Sequence, residues 1–274
     1  MILRRTFLRL GVPVLAFCTL VGYFFLEAHT LTVHHERVCL PGLPPAFRGM
    51  RAVIISDVHH GIFFPVSFVR EIVGLSNSLK PDIILLLGDY GYRDSHFLKE
   101  SIYELGALEA PEGRIAILGN HDILLGRQIA STELARQHFT ELTNRNISLQ
   151  RGSDRLVISG LDDPQQGHPD LGKALEGTKA DDFVILLSHS PDVIENLRDP
   201  RIHFVFSGHT HGGQICLPFV GSPIVPSAYG QKYRAGFVRG PTVGGYVSTG
   251  AGAAFPPIRI GCPASITLMT FDAG

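Results

Sequence analysis

The chain has 274 residues, of which 45% are hydrophobic, with 24 basic and 25 acidic residues and a net charge of −1. This length and composition exclude a disordered chain and predict one large globular domain or two small ones. The near-neutral charge excludes the basic surface typical of nucleic-acid-binding proteins, so no nucleic-acid partner is expected. Four scattered cysteines without a Cys-x-x-Cys pair exclude a thiolate zinc site and indicate isolated thiols, with a Cys216–Cys262 disulfide as the alternative.

The N-terminal segment differs from the rest of the chain. Three basic residues, Arg4, Arg5 and Arg9, precede an uncharged stretch of 17 residues from Leu10 to Leu26. Such a stretch lies at the short end of the ~17–25 apolar residues that span a bilayer. We therefore predict a signal anchor or transmembrane segment over residues 1–30 and a linker over residues 31–43.

The flanking charges predict the orientation of this segment, because positive residues remain on the cytoplasmic side of a membrane. We expect a single-pass anchor in the bacterial inner membrane, with the following domain outside. The run Arg4-Arg5-Thr6-Phe7-Leu8 resembles a twin-arginine export signal. Cleavage after Ala28, or a merely hydrophobic start to the domain, are the alternatives.

Residues 44–274 read as a single α/β domain. Continuous apolar runs, typical of strands buried on both faces, occur at residues 52–55, 83–87, 115–118, 184–187 and 204–206. Helical patterns cover residues 66–79, 95–108 and 132–143. This alternation predicts a mainly parallel sheet, while two helix-free strands at residues 244–249 and 265–271 indicate a second, mixed sheet.

Each predicted strand of the body is followed by a polar group that an apolar run does not require. These residues are Asp57, His59, Asp89, Asn120, His121, His189, His209 and His211. In an open α/β sheet ligands bind at the carboxyl ends of the strands, so we expect all of these side chains to converge in one crevice. Singly, each of them is explained as well by a turn, a helix cap or a structural histidine.

The convergent set consists of oxygen and nitrogen donors without thiolates. Such donors suit manganese, iron, zinc or magnesium rather than a structural zinc site. The set is too large for a single ion. Two metals about 3.5–4 Å apart, bridged by a carboxylate, account for it and suit displacement at phosphorus.

The motifs of this set resemble those of the calcineurin-like metallophosphoesterases. The matching residues, in chain order, are Asp57-Val58-His59, Gly88-Asp89, Gly119-Asn120-His121-Asp122, His189 and Gly208-His209-Thr210-His211. The resemblance implies two mixed β-sheets packed as a sandwich and flanked by helices. It also implies two divalent metal ions, for which manganese is favoured over iron, zinc and magnesium.

The same resemblance assigns a role to each residue. It implies a first metal held by Asp57, His59 and His211, and a second held by Asn120, His189 and His209. Asp89 would bridge the two. His121 would act on the phosphate as the catalytic residue, by stabilising charge or by protonating the leaving oxygen.

Within the family, the N-terminal segment and the GHTHGGQ motif are most similar to the bacterial membrane-associated or exported phosphodiesterases. Relatives in this branch include the UDP-2,3-diacylglucosamine pyrophosphatases of lipid A synthesis, so a phosphodiester or nucleotide-lipid substrate is expected. Cys262-Pro263-Ala264 and His60 depart from the expected pattern. The alternatives are an exported phosphodiesterase or phosphomonoesterase acting on cell-wall or extracellular substrates, and a non-catalytic metal-binding module.

Four residues near the C-terminus are candidate contacts for phosphate or nucleotide: Tyr229, Lys232, Tyr233 and Arg259. Each is explained equally well as an ordinary surface residue. The oligomeric state is left open by the sequence.

Overall fold

The computed structural model describes residues 2–273, and for residues 2–12 and 15–17 it describes the backbone alone. The outer limits of the predicted domains, Met1 and Gly274, lie outside the described residues. The α-helices are α1 (Ile2–His29), α2 (Val66–Ser78), α3 (Ser95–Leu105), α4 (Asn120–Arg136) and α5 (Leu171–Ala174). The strands are β1 (Thr32–Cys39), β2 (Arg51–Ile55), β3 (Ile83–Leu86), β4 (Arg114–Ala116), β5 (Thr140–Glu141), β6 (Arg145–Arg151), β7 (Asp154–Gly160), β8 (Phe183–Leu187), β9 (Ile202–Ser207), β10 (Gly236–Arg239), β11 (Gly244–Val247) and β12 (Ser265–Asp272).

These strands form two mixed six-stranded sheets. The first has the order β1-β12-β2-β3-β4-β5 and the second has the order β10-β11-β9-β8-β7-β6. Strands β2 to β5 are mutually parallel, as are β7, β8, β9 and β11. The predicted α/β class with two mixed sheets is therefore confirmed, although β12 joins the first sheet, where it runs antiparallel to β2.

The two sheets pack face to face around one apolar layer. Alternate residues of each strand point to opposite faces, so Ile54 of β2 faces the second sheet while Val53 faces the helices. The layer between the sheets includes Ile54, Leu85, Ile185 and Phe206. Helices α2, α3 and α4 cover the outer face of the first sheet, so its strands are buried on both sides. This double burial explains why the sequence shows continuous apolar runs rather than alternation.

Helix α1 ends against the first sheet. Ala28 is fully buried, and the ring of His29 stacks on Phe64 with centroids 4.6 Å apart. The Nε2 of His29 lies 2.7 Å from the carbonyl oxygen of Phe63. The chain then continues directly into β1, which pairs in parallel with β12 over eight residues. Residues 32–39, assigned to a linker from the sequence, are thus an edge strand of the sheet.

The prediction of a membrane localisation is wrong. Among the residues that the structure describes, no helix is both long enough and apolar enough to cross a lipid bilayer. The single-pass anchor over residues 1–30 is accordingly not confirmed. Arg4, Arg5 and Arg9, whose charges gave the predicted orientation, lie where the structure describes the backbone alone.

Several element boundaries also differ from the sequence predictions. The helix expected at residues 132–143 begins at Asn120 and ends at Arg136, and a non-helical Gly126 interrupts it. This interruption breaks the periodicity on which the prediction depended. The hairpin of β6 and β7 was not predicted, because β6 alternates between half-buried and exposed residues and carries few apolar side chains. All four cysteines are free thiols, so the alternative of a Cys216–Cys262 disulfide does not hold.

The apolar layer between the sheets gives a direct test of the packing. Leu85 is fully buried in this layer, so Leu85→Ala should lower the free energy of unfolding by about 2–5 kcal/mol. Tyr103→Ala is the control, because Tyr103 is 65% exposed and its loss should change stability by less than about 0.5 kcal/mol. Urea unfolding of both variants measures the difference, and equal midpoints would contradict the proposed packing.

Candidate metal centre

The polar residues that follow the strands converge at one end of the sandwich. Strands β2, β3 and β4 of the first sheet lead into Asp57, His59, Asp89, Asn120 and His121, and strands β8 and β9 of the second sheet lead into His189, His209 and His211. Both sheets therefore contribute side chains to one site. All of these residues are buried except His121, which is half-buried at the open side.

The candidate ligands form overlapping groups. Three sets have ligand atoms within 4.8 Å of one another: Asp57, His59 and His211; His59, Asp89 and His121; and Asp89, His189 and His209. The Oδ2 of Asp89 lies 3.6 Å from His59 Nε2 and 3.2 Å from His189 Nε2. Asp89 thus stands between the first and the third set, where a bridging carboxylate would be required.

Unsatisfied polar atoms show that the set fits divalent cations. Asn120 Oδ1 is buried and makes no hydrogen bond within the described part of the chain, and the buried His189 Nε2 faces Asp89 Oδ2 at 3.2 Å. Buried polar atoms are nearly always paired, so an unpaired oxygen among the candidate ligands fits a bound cation. His59 Nε2 and His211 Nε2 face each other at 3.1 Å, next to Asp57 Oδ1 at 3.4 Å from His211. Oxygen and nitrogen donors grouped in this way match the preferences of manganese, iron, zinc and magnesium.

The pKa values of the histidines follow from burial and from the two carboxylates. Burial lowers the pKa of His59 to about 3 and that of His209 to about 4. Histidine binds metals in its neutral form, so both rings are ready to coordinate at neutral pH. Burial also acts to lower the pKa of His189, but the hydrogen bond to Asp89 and the negative charges of Asp89, Asp57 and Asp163 together outweigh it and raise that pKa to about 10. A cation bound to this pair would replace that proton.

Contacts behind the ligands fix their orientation. His189 donates its Nδ1–H to the carbonyl oxygen of Leu87 at 2.7 Å, which leaves Nε2 directed at the site. Both carboxylate oxygens of Asp57 accept from the backbone N–H of His209 at 3.1 Å. Asp122 accepts from the backbone N–H groups of Gly119, Asp89 and Tyr90, so it ties together the loops that follow β3 and β4.

Backbone conformation is strained at the ligands themselves. Five of the seven predicted ligands have left-handed φ values, namely Asp57 (53°), His59 (48°), Asp89 (60°), His209 (69°) and His211 (52°). Residues with side chains adopt this region rarely, and such strain is concentrated at functional sites. The sharp turns that it creates bring the two histidines of the GHTH segment to different ligand groups, His209 to the group with Asp89 and His211 to the group with Asp57.

Two glycines allow the loops to approach closely. A Cβ on Gly208 would lie 2.6 Å from Asp57 Oδ2, and one on Gly119 would lie 2.2 Å from Asp89 Oδ1. Neither distance is compatible with a real side-chain atom. The glycines of the Gly-His and Gly-Asn motifs are therefore required by space next to the carboxylates.

Arg259, a candidate substrate contact, lies in the interior of the protein. Its side chain is fully buried, and its guanidinium donates to the backbone carbonyls of Thr249, Gly250 and Gly252. One further bond reaches the carbonyl of His211 at 3.3 Å. Arg259 thus braces the loop behind His211 and the loop that packs on Asp57.

Tyr229, Lys232 and Tyr233 form a separate cluster. Lys232 pairs with Glu195, and its ammonium lies 5.1 Å from the centre of the Tyr233 ring. Tyr233 also donates to Glu195. Among the described residues, no hydrogen bond, ion pair or ring contact joins Tyr229 or Lys232 to a candidate ligand.

Two residues at the site were missed from the sequence. Gln165 places its Nε2 2.7 Å from His209 Nε2, and Tyr92 packs edge-on against His59 with centroids 5.3 Å apart. Gln165 lies in the loop after β7, at the same end of the sheet as the other polar residues. Because β7 was not predicted, the polar residues that follow it, Gln165 among them, were not considered as site residues.

A conservative change at Asp89 tests the bridging position. Asp89→Asn removes the negative charge shared by the two ligand groups, so both sites should bind metal more weakly. The loss of metal affinity should exceed the ~10–100-fold that follows from loss of an outer-shell partner. Metal titrations of the variant measure this. Asp272→Asn is the control, because Asp272 pairs with Arg37 at the exposed end of β12. Unchanged stoichiometry and affinity in Asp89→Asn would rule out the bridging position.

The space at Gly208 gives an independent test. Gly208→Ala should displace the Asp57 carboxylate and weaken metal binding by about tenfold or more, comparable to disturbing an outer-shell contact. Gly74→Ala in α2 is the matched control, because its Cβ would meet no atom within 4 Å. Wild-type metal affinity in Gly208→Ala would show that the close approach is not required.

Comparison with known proteins agrees with this geometry. The family model for calcineurin-like phosphoesterases matches residues 50–213. An uncharacterized metallophosphoesterase of Bacillus subtilis, YkuE, is 32% identical over 91% of this chain and 88% of its own. The phosphodiesterase YaeI of Escherichia coli is 26% identical over 98% of this chain and 99% of its own. The UDP-2,3-diacylglucosamine pyrophosphatase LpxG of Chlamydia trachomatis is 31% identical over 77% of each chain.

With a family model covering more than half of its length, and with the ligand set of both sheets in place, the chain belongs to the calcineurin-like phosphoesterase family.

Proposed function

We propose that the protein hydrolyses phosphodiester or pyrophosphate bonds with the help of two divalent metal ions. The observation that carries this proposal is the convergence of buried aspartate, asparagine and histidine side chains from both sheets, with Asp89 between the groups. A site of neutral imidazoles and only a few carboxylates has a net positive charge when two divalent cations bind. That positive charge favours binding of an anionic phosphate, although the whole protein is nearly neutral.

The residues divide between the two metals according to their contacts. Asp57, His59 and His211 would hold one ion, and Asn120, His189 and His209 would hold the other, with Asp89 shared. When bound, such ions polarise the phosphoryl oxygens and lower the pKa of water toward neutrality. The donor set lacks thiolates, and we propose manganese as the metal, with iron, zinc and magnesium as the alternatives to be tested.

His121 is the group proposed to act on the substrate. Its backbone N–H donates to Asp89 Oδ1 at 2.9 Å, which fixes the start of α4 beside the metal ligands. Its ring meets that of His59 edge-on, with centroids 4.9 Å apart, and is the most accessible of the site imidazoles. From this position it can stabilise negative charge on the phosphate or give a proton to the leaving oxygen.

The substrate class is proposed from the relatives. One is named as a phosphodiesterase and another as a UDP-2,3-diacylglucosamine pyrophosphatase, and both cover most of this chain. We favour a phosphodiester or a nucleotide-linked lipid of this kind, and a role in lipid A synthesis is the specific form of the proposal. A phosphomonoester or another phosphodiester is the alternative.

The role of His121 can be separated from metal binding. His121→Ala should lower kcat by about 10²–10⁴-fold, the usual contribution of a proton donor, while metal content stays near that of the wild type. His203→Ala is the control, because His203 is exposed on β9 and stacks on Phe183 outside the site. Loss of metal from His121→Ala would show instead that His121 is a ligand, as its distance to His59 and Asp89 permits.

Metal and substrate are tested together on the full chain. The protein is loaded separately with manganese, zinc, iron or magnesium and assayed on a bis-aryl phosphodiester, an aryl phosphomonoester and UDP-2,3-diacylglucosamine. We expect the highest turnover with manganese, and turnover of UDP-2,3-diacylglucosamine well above the generic diester would support the lipid A role. Monoester activity above both would favour the alternative, and absence of all three activities with two metals bound would contradict the proposed function.

A further inference from the structure

A cavity of about 270 Å³ lies beside the metal centre. It is formed by the segment that follows His211 and by residues 254–256, which lie after β11. His211 belongs both to the wall of the cavity and to the metal-ligand group with Asp57 and His59. The cavity and the candidate metal site therefore adjoin each other at His211.

The wall of the cavity is made almost entirely of carbon. Its side chains include Ile215, Ile224, Phe255 and Pro256, and no acidic or basic residue other than His211 lines it. The one amide, Gln214, is already engaged, since its oxygen accepts from the N–H of Ala254 at 2.7 Å and its nitrogen donates to the carbonyl of Pro256 at 3.0 Å. The hydroxyl of Thr210 donates to the carbonyl of Arg234.

These engaged polar groups limit what the cavity can bind. A nucleobase or a sugar requires free donors and acceptors, and burying such groups without partners is unfavourable. An aliphatic chain makes no such demand and gains from every methylene that leaves water. The chemistry of the wall therefore selects an apolar ligand.

Apolar side chains at this site are exposed to an unusual degree. Ile224 is 78% exposed and Phe255 is 61% exposed, and the same loop carries Phe219 and Val220 at 109% and 69%. Large apolar residues grouped on a surface mark binding sites. Ile224 and Phe255 line a cavity that adjoins a site for an anionic group, so the arrangement matches a molecule with an anionic head and an apolar tail.

We propose that this cavity, which we call the apolar pocket, binds an aliphatic chain of the phosphoester substrate while the phosphate lies at the metal centre. The inference rests on the proposed function and specifies its substrate as an amphiphile. Whole small-molecule sites measure roughly 300–1,000 Å³, so a pocket of about 270 Å³ holds one segment of a chain rather than an entire ligand.

A series of substrates with growing chains tests the apolar pocket. p-Nitrophenyl alkyl phosphodiesters from ethyl to decyl are assayed with the metal-loaded full chain. We expect kcat/KM to rise about fourfold per methylene, the equivalent of about 0.8 kcal/mol, until the pocket is filled. The higher kcat/KM should come mainly from a lower KM, because the alkyl chain of the substrate interacts equally with the enzyme in the ground state and in the transition state.

Variants at the pocket locate the effect. Phe255→Ser and Ile224→Ser should reduce the gain in kcat/KM per methylene to less than half of the wild-type gain. Both side chains are exposed, so the variants are expected to fold. Tyr103→Ala, at an exposed position of α3, is the control and should retain the full gain. Thermal unfolding midpoints of all variants verify that they are folded.

A binding measurement separates this inference from the proposed function. Calorimetry with alkylphosphonates of the same chain lengths should show affinity that rises with length and a heat capacity change that becomes more negative. Diester hydrolysis without any dependence on chain length would overturn the apolar pocket and leave the proposed function intact. Absence of hydrolysis together with chain-dependent binding would overturn the proposed function alone. If Phe255→Ser and Ile224→Ser changed the oligomeric state in sedimentation while keeping the full gain per methylene, the surface would be a contact between copies and the inference would fall.

Discussion

The burial of two carboxylates at the ends of β2 and β3 is the constraint on which the site depends. Asp57 and Asp89 are almost completely shielded from water, and a buried negative charge is highly unfavourable without a partner. Backbone N–H groups and the imidazole of His189 supply part of the compensation, and divalent cations would supply the rest. The tight loops, the left-handed ligands and the two glycines all serve to bring donors to these charges.

Arg259 shows how the same constraint extends beyond the ligands. A buried guanidinium would normally pair with a carboxylate, yet here it donates to the carbonyls of the loops that hold His211 and Asp57 in place. Burial lowers the pKa of His211 well below the usual range, and the charges of His59 and Arg259 lower it further. Arg259 therefore keeps the loops and the protonation state of the site consistent with cation binding.

The central part of the fold could be predicted from the sequence, and the edges could not. The inner strands β2, β3, β4, β8 and β9 are buried on both faces, so their apolar runs and the polar residues after them were recognisable. The edge strands β1 and β6 carry half-exposed polar residues, and their pairing depends on partners distant in sequence. Missing the β6–β7 hairpin also hid Gln165. The burial of Arg259 had no local signal, because arginine is usually exposed and only the folded loops provide its carbonyl acceptors.

The apolar layer between the sheets has a consequence for the chemistry at their ends. Because Asp57, His59 and Asp89 are attached to one sheet and His189, His209 and His211 to the other, the distance between the two halves of the site is the distance between the sheets. Side chains such as Ile54, Ile185 and Phe206, which touch no ligand, act as the spacer that fixes it. Protein interiors are close-packed and respond to changes of a single methylene, so the volume of this layer is itself a determinant of how the ligands meet. The size of core residues remote from the site therefore helps to set the geometry of the candidate metal centre.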